Sequence, residues 1–161
     1  MTTCVVGCGQ GWEENGDHCY RWSANRKITW IEAQDWCINQ GGHLASVTSN
    51  SIKTYVVEGM NRNNVDNIWI GANDCMQEGD WKWVDNSRWD FSSWGGGEPN
   101  NAWWNGGNED CAAMGRDGAW NDVLCKFELD YFLCSKPGNN DQYLNCWLFT
   151  PLCATLDSYE W

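Results

Sequence analysis

The sequence predicts an α+β fold in which two helices flank small antiparallel sheets and disulfides stabilise a domain with a long loop region. Three observations carry this prediction: two segments have apolar residues at helical spacing, several short apolar segments have the length of strands, and ten cysteines occur among 161 residues. A chain of this length forms about one domain, so we expect a single core.

The first element is a predicted hairpin at residues 8–22, "CGQGWEENGDHCYRW". Two cysteines flank a polar segment that contains an Asn-Gly turn, and Asn-Gly is a strong hairpin signal. We therefore expect a short hairpin closed by Cys8 and Cys19.

A helix is predicted within residues 28–42, where apolar side chains recur near helical spacing. Thr29 is a suitable N-cap because Glu32 follows three residues later, and Gly41 is a suitable stop. This helix would carry Cys37 on its inward face.

The second predicted helix covers residues 49–60 and ends near Gly59. Strand-type segments with apolar or alternating patterns are "HLASV", "IWIG", "DWKWV" and "YFLCSK", at residues 43–47, 68–71, 80–84 and 131–136. We found no internal repeat.

Residues 85–122 are predicted to be rich in loops, and a loop region of this length is either disordered or functional. Its many tryptophans argue against disorder. Core packing is expected for Trp30, Trp36, Trp69, Trp81, Trp83 and Trp120. Trp103 and Trp104 differ, because both flank polar loop residues, and we expect at least one of them to face solvent or a ligand.

Composition excludes several classes of function. The chain has 10 lysines and arginines against 22 acids and a net charge of −12, so we expect no nucleic-acid partner and a multivalent cation instead.

No apolar run approaches the ~20 residues that span a bilayer. His18 and His43 lie apart from any cysteine cluster and no CxxC pair occurs, which favours disulfides over zinc ligation. We expect a secreted, extracellular protein that does not span a membrane.

Two polar segments, "GGEPNNAWWNGGNEDC" at 96–111 and "WND" at 120–122, contain a set of oxygen ligands suited to calcium. The set comprises three acids and two amides: Glu98, Asn100, Glu109, Asn121 and Asp122. An amide donates from its NH₂ while a carboxylate accepts, so each acid and amide pair can hold one sugar hydroxyl that also coordinates the ion. Pro99 would turn its neighbours toward one ion if its peptide bond were cis.

The segments "CGQGW", "GGHLASV", "IWIG", "EPN", "EDC" and "WND" together resemble the C-type lectin domain in its long, hairpin-bearing form. The resemblance covers about Cys8 to Lys136 and implies the C-type lectin fold over residues 1–136, with residues 137–161 as a cysteine-containing extension. It also implies three disulfides: Cys8 with Cys19, Cys37 with Cys134, and Cys111 with Cys125.

The resemblance assigns the principal calcium site to the same five residues. It also implies an auxiliary calcium site formed by Asp74, Glu78, Asn101 and Asp110 with the backbone of Glu109. The family more often has an aspartate where Asn101 stands, which lowers the charge of that site. A solvated turn is the alternative for Asp74 and Glu78. His43 is expected to be structural.

Four cysteines remain beyond the family pattern: Cys4, Cys75, Cys146 and Cys153. They allow three intrachain pairings, and the sequence does not choose among them. The apolar segment "NCWLFTPLC" within residues 137–161 predicts either an extension packed over its own domain or a homo-oligomer, because avidity commonly strengthens weak sugar sites.

Three classes of function compete. Calcium-dependent sugar binding uses all five residues of the principal set; a lectin-like scaffold that binds protein or ice is the second class, and extra cysteines like those of fish antifreeze proteins keep it open. A hydrolase using Glu109 and Asp110 is the third. We expect no enzyme, because a glycosidase acid needs a desolvated pocket, whereas these acids lie among amides and metal ligands that favour ionisation.

The order "EPN" in this family implies mannose, glucose, N-acetylglucosamine or fucose as the bound sugar. The segment "NAWWNGG" resembles the loop of galactose-binding relatives, so galactose or N-acetylgalactosamine binding through Trp103 or Trp104 is the alternative.

Overall fold

The computed structural model describes residues 7–102 and 108–138. Two four-stranded antiparallel sheets and two helices make up the described fold. In chain order the elements are β1 (Glu13–Asn15), β2 (His18–Trp22), α1 (Trp30–Asn39), β3 (His43–Leu44), α2 (Asn50–Asn63), β4 (Asn67–Asn73), β5 (Lys82–Trp83), β6 (Cys111–Gly115), β7 (Trp120–Val123) and β8 (Leu133–Pro137). The predicted α+β class is confirmed.

The first sheet has the strand order β1-β2-β8-β3 and brings the beginning and the end of the domain together. The predicted hairpin is present, and its second strand pairs with β8 in the register Tyr20 to Ser135. Two disulfides fasten this region, one between Cys8 and Cys19 and one between Cys37 and Cys134. Both pairs are those that the resemblance implied.

Helix α1 begins as the sequence predicts. The Thr29 hydroxyl accepts a hydrogen bond from the Glu32 N–H, and the Glu32 carboxylate accepts one from the Thr29 N–H, which completes a capping box. Gly41, with φ at +83°, lies just beyond the helix end. Cys37 is fully buried, as expected for an inward position.

Helix α2 starts after the Ser49 cap but continues to Asn63, so the predicted end near Gly59 is wrong. Gly59 serves packing instead: a Cβ at this position would lie 2.2 Å from Cζ2 of Trp22. The helix ends at Asn64, which adopts the left-handed conformation with φ at 53°. Local sequence suggested a stop where a long-range contact requires a small residue.

The second sheet has the order β5-β4-β6-β7 and positions the polar loops. Strand β6 and all of β7 except Val123 lie within the region that was predicted to be rich in loops, so that prediction was too broad. The sequence of β6, "CAAMG", lacks the β-branched residues that mark strands, and its pairing with β4 and β7 determines its structure. The third implied disulfide, between Cys111 and Cys125, fixes the start of β6.

Of the four cysteines beyond the family pattern, Cys75 alone lies within the described residues. Cys75 is exposed and unpaired in the described part of the chain, and its sulfur lies within 4.8 Å of those of Cys111 and Cys125. Because these two form a disulfide, the three sulfurs are not a thiolate metal site. Cys4, Cys146 and Cys153 lie outside the described residues, as do Trp103, Trp104 and the extension beyond residue 138.

Among the described residues, no helix is both long and apolar enough to cross a membrane. His43 has a structural contact, because its Nδ1 lies 2.9 Å from Nε2 of Gln34, whose Oε1 accepts the backbone N–H of Leu44.

Candidate metal centre

An aromatic cluster around Trp120 holds the polar loop against β7. The indole of Trp120 is buried, with ring centroids of Trp83, Trp94 and Phe91 at 5.5, 5.6 and 5.9 Å. Trp94 and Phe91 belong to the loop before the proposed ligands. The sequence predicted Trp120 as a core residue but not this loop-anchoring role, which depends on contacts between distant segments.

Backbone hydrogen bonds place the loop in register with β7. The Trp120 N–H donates to the Ser93 carbonyl over 2.8 Å, and the Gly95 N–H donates to the Trp120 carbonyl over 2.8 Å. The Glu98 N–H then closes a turn by donating to the Gly95 carbonyl over 3.0 Å. These bonds carry Glu98 to the strand that holds Asn121 and Asp122.

Asp122 joins β7 to the segment that follows Pro99. Its Oδ1 accepts the Asn100 N–H over 3.0 Å and its Oδ2 accepts the Asn101 N–H over 2.6 Å. The side chain of Asp122 is 1% exposed, whereas Asn121 is exposed, as expected for neighbours on a strand. Two carboxylate hydrogen bonds therefore fix the backbone beside both asparagines.

Glu109 connects the two ends of the segment around residues 103–107. Its Oε2 accepts the Ala102 N–H over 2.8 Å, and its own N–H donates to Oδ1 of Asn101 over 2.9 Å. The residue is buried. This contact brings Glu109 to the same cluster as Asn101 and Asp122.

Glu98 is a partly buried carboxylate next to Asp122. The peptide bond between Glu98 and Pro99 is cis. Burial raises the pKa of Glu98, the adjacent Asp122 carboxyl raises this pKa further, and a hydrogen bond with Asn100 opposes the shift. Its Oε2 is buried and has no hydrogen-bond partner among residues 7–102 and 108–138.

The structure therefore brings all five predicted residues of the principal set into one region. Contacts connect Glu98 and Asn100 with Asp122, and Glu109 with the Asn101 that Asp122 also holds. Asn121 lines the same cavity as Glu98. The set offers three carboxylates and two amides, and Oε2 of Glu98 is buried without a partner in the described structure. Such a set of oxygen donors fits a hard divalent cation such as Ca²⁺.

The residues of the predicted auxiliary site also meet. Nδ2 of Asn101 donates to Oε2 of Glu78 over 2.6 Å, and the Asp74 N–H donates to the Asp110 carbonyl over 3.1 Å. Burial raises the pKa of Asp74, with a smaller contribution from Asp110, and Oδ1 of Asp74 is buried without a partner in the described structure. The side-chain oxygen of Asn101 is already used by Glu109, so a cation here would compete with that hydrogen bond.

The raised pKa of Glu98 predicts a pH dependence whose sign differs with and without Ca²⁺. A carboxyl group whose pKa is higher in the folded than in the unfolded state stabilises the fold while it is protonated. This contribution is complete below the unfolded-state pKa and is lost as the pH rises through the folded-state pKa. In chelator, ionised Glu98 should therefore destabilise the fold at about pH 7, and Glu98→Gln should melt at a higher temperature than the parent there. In Ca²⁺ the order should reverse, because the ion binds the deprotonated acid.

Thermal melts of both proteins, from about pH 4 to 7.5, test this prediction. The comparison with Glu98→Gln is needed because hydrogen bonds lower the pKa of Asp17 and Glu32, whose effects on stability have the opposite sign. If the difference between parent and variant did not depend on pH or on Ca²⁺, the assignment of Glu98 would be wrong.

The comparisons with known proteins agree with this fold. Residues 26–136 match the family model of the lectin C-type domain. The hepatic lectin of Gallus gallus is 40% identical over 128 residues, which cover 78% of this chain and 58% of that protein. The carbohydrate-recognition domain of cow CD23, solved in the presence of a GlcNAc2Man3 oligosaccharide, has a TM-score of 0.73 and 33% identity, covering 81% of this chain and 95% of that one.

A calcium-independent type II antifreeze protein is also similar in structure, with a TM-score of 0.70 and 29% identity over 84% of this chain and 98% of that one. The fold is therefore also that of a protein described as calcium-independent. The chain belongs to the C-type lectin domain family. What it binds depends on the residues of its own loops.

Proposed function

We propose that this domain binds carbohydrate through a Ca²⁺ ion held by Glu98, Asn100, Glu109, Asn121 and Asp122. The observation that carries the proposal is the buried, unpartnered Oε2 of Glu98 beside the Asp122 carboxyl. When bound, the ion supplies open coordination positions for two neighbouring sugar hydroxyls. The function is binding without enzymatic catalysis.

The side chains of the site give the bound sugar its orientation. Glu98 accepts a hydrogen bond from a sugar hydroxyl and Asn100 donates one to it, and Glu109 with Asn121 can do the same for a second hydroxyl. The Glu98 and Asn100 side chains already interact, so this pair is held together before a sugar arrives. Preorganisation of this kind reduces the entropy lost on binding.

We expect mannose-type sugars to bind first. The "EPN" order is consistent with this preference, and the similar cow CD23 domain was solved in the presence of an oligosaccharide of mannose and N-acetylglucosamine. Galactose-type binding would need an indole of Trp103 or Trp104 to stack on the sugar, which is worth about 0.5 to 1.5 kcal/mol by analogy with aromatic pairs. That energy is at most about a tenfold change in affinity.

Competition of mannose, N-acetylglucosamine and galactose for one immobilised glycan tests the expected order of sugar affinities. Mannose or N-acetylglucosamine should compete at lower concentration than galactose on the parent, on Trp103→Ala and on Trp104→Ala. A galactose advantage on the parent would reverse the assignment, and its loss in one tryptophan variant would identify the stacking residue.

The partner of the chain is thus proposed to be an extracellular glycan, bound by a secreted protein. Oligomerisation through residues 137–161 stays a prediction, because residues 139–161 of that extension lie outside the described structure.

A further inference from the structure

A second cavity lies next to the one that Glu98 and Asn121 line. Glu98 and Asn121 line a cavity of about 380 Å³, and a neighbouring cavity has a volume of about 510 Å³. Asn67 and Leu129 belong to the walls of both cavities. The second cavity thus adjoins the one that Glu98 and Asn121 line; we call it the amide groove, and it extends from Asn67 to Asn25.

Two amides of the groove are available to a ligand. Asn25 and Asn67 are exposed, and their side chains make no hydrogen bond to any other residue in the described ranges 7–102 and 108–138. Each amide offers an NH₂ donor and a carbonyl acceptor, the combination that a sugar hydroxyl complements. Neither amide is needed to hold the fold by hydrogen bonding.

The groove also has an apolar side. Leu129 and Tyr131 line it, both are partly buried, and each packs against one of the two hydrophobic clusters of the core. Their positions are thus fixed by packing. A rigid apolar wall facing a few polar groups is the usual composition of a small-ligand site, and it suits the mixed apolar and hydroxyl faces of a sugar ring.

The charge of the groove restricts its ligand. Asp66, Glu128 and Asp130 line it, and no lysine or arginine does. Asp66 is paired with Arg116 at 2.9 Å, but Glu128 and Asp130 have no ion pair within the described part of the chain. Sialylated or sulfated sugars would meet carboxylates of like charge, so the groove favours neutral sugars.

We propose that the amide groove is a subsite for the second and third residues of a neutral oligosaccharide whose first residue occupies the calcium site. The proposal rests on the function proposed above and extends it from a monosaccharide to an unbranched, uncharged glycan. Asn25 and Asn67 are its specificity-determining residues, because they are amides facing the groove with no partner in the described fold.

Solution calorimetry in Ca²⁺ tests the groove with methyl mannoside and linear mannotriose as probes. Three equivalent residues alone give the trisaccharide roughly a threefold statistical advantage. Hydrogen bonds in the groove should raise this advantage to about tenfold or more on the parent. Asn25→Ala should reduce it in part and the double variant Asn25→Ala/Asn67→Ala to roughly threefold, while Asn61→Ala, at an exposed asparagine outside both cavities, should retain it.

Each outcome decides the proposal. If the parent binds the monosaccharide but binds the trisaccharide with no more than the statistical advantage, the groove proposal is wrong and the proposed function stands. A tenfold gain that survives both asparagine substitutions places the extended contact elsewhere and also overturns the groove. If no mannose, N-acetylglucosamine or galactose probe, in monosaccharide or trisaccharide form, binds in Ca²⁺, both the groove and the proposed function are wrong.

A charged probe tests the electrostatic part separately. A trisaccharide that carries one sulfate on its third residue should keep, on the parent, no more than the roughly threefold statistical advantage over the monosaccharide. The double substitution Glu128→Gln/Asp130→Asn should recover part of the lost affinity, most clearly at low salt. Equal affinity of the parent for sulfated and neutral trisaccharides would contradict the assignment of the third sugar to this groove.

Discussion

Simultaneous replacement of Cys37 and Cys134 by alanine is expected to lower the free energy of unfolding by about 4 to 5 kcal/mol, the largest single effect on stability that the structure predicts. The disulfide closes a loop of 97 residues and ties α1 to β8 in the first sheet. Without it, the unfolded chain gains the entropy of that loop. Both cysteines are fully buried, so lost packing adds to the effect.

The matched control is Cys8→Ala/Cys19→Ala, which opens a loop of only 11 residues. The same chain-entropy relation gives about 3 kcal/mol for this pair, a difference of about 2 kcal/mol between the two variants. Denaturant unfolding followed by tryptophan fluorescence measures both. Equal losses in the two variants would show that loop length does not govern the contribution of these disulfides.

Substitution of the proposed calcium ligands should abolish sugar binding without unfolding the domain. Glu98→Gln removes one of three carboxylates, and Asn121→Ala removes an exposed amide that no described residue needs for a hydrogen bond. Substitution of residues that only hydrogen-bond the metal ligands already lowers metal affinity about 10- to 100-fold. We therefore expect each substitution to lower Ca²⁺ affinity by about 100-fold or more and to lower sugar affinity with it.

Titration calorimetry with Ca²⁺ measures the effect, and far-ultraviolet circular dichroism checks the fold. Glu58→Gln and Asn61→Ala make the same chemical changes at exposed positions on α2 and should bind Ca²⁺ like the parent. Unchanged Ca²⁺ affinity in both ligand variants would place the site elsewhere. Reduced affinity in the control variants as well would point to a general effect of charge.

The fold could be predicted where local sequence determines structure. Thr29 and Glu32 form the cap of α1 through contacts three residues apart, and the hairpin at Cys8 and Cys19 depends on a local turn. The end of α2 could not be predicted, because Gly59 is retained by contact with Trp22, which lies 37 positions earlier in the chain. Strand β6 was not predicted for a similar reason, because its pairing with β4 and β7, and not its composition, makes it a strand.

In the candidate site, too, the local features could be predicted from the sequence and the long-range contacts could not. Spacing and residue type were sufficient to propose the five oxygen ligands, because calcium requires a particular set of donors. They could not show that Asp122 would bind the backbone at Asn100 and Asn101, about twenty residues away, or that Trp94 and Phe91 would anchor the loop on Trp120. These contacts decide how the ligands meet, and they arise only when the sheet has formed.

Binding of the chain to a panel of neutral and charged glycans, in Ca²⁺ and again in chelator, tests the central claim most directly. We expect binding to mannose-type or N-acetylglucosamine-type glycans in Ca²⁺, loss of that binding in chelator, and its recovery when Ca²⁺ is restored. Glycan binding that persists in chelator would contradict the calcium site. Absence of glycan binding in both conditions, from a protein that is folded and binds Ca²⁺, would contradict the carbohydrate function and favour a lectin-like scaffold for another ligand.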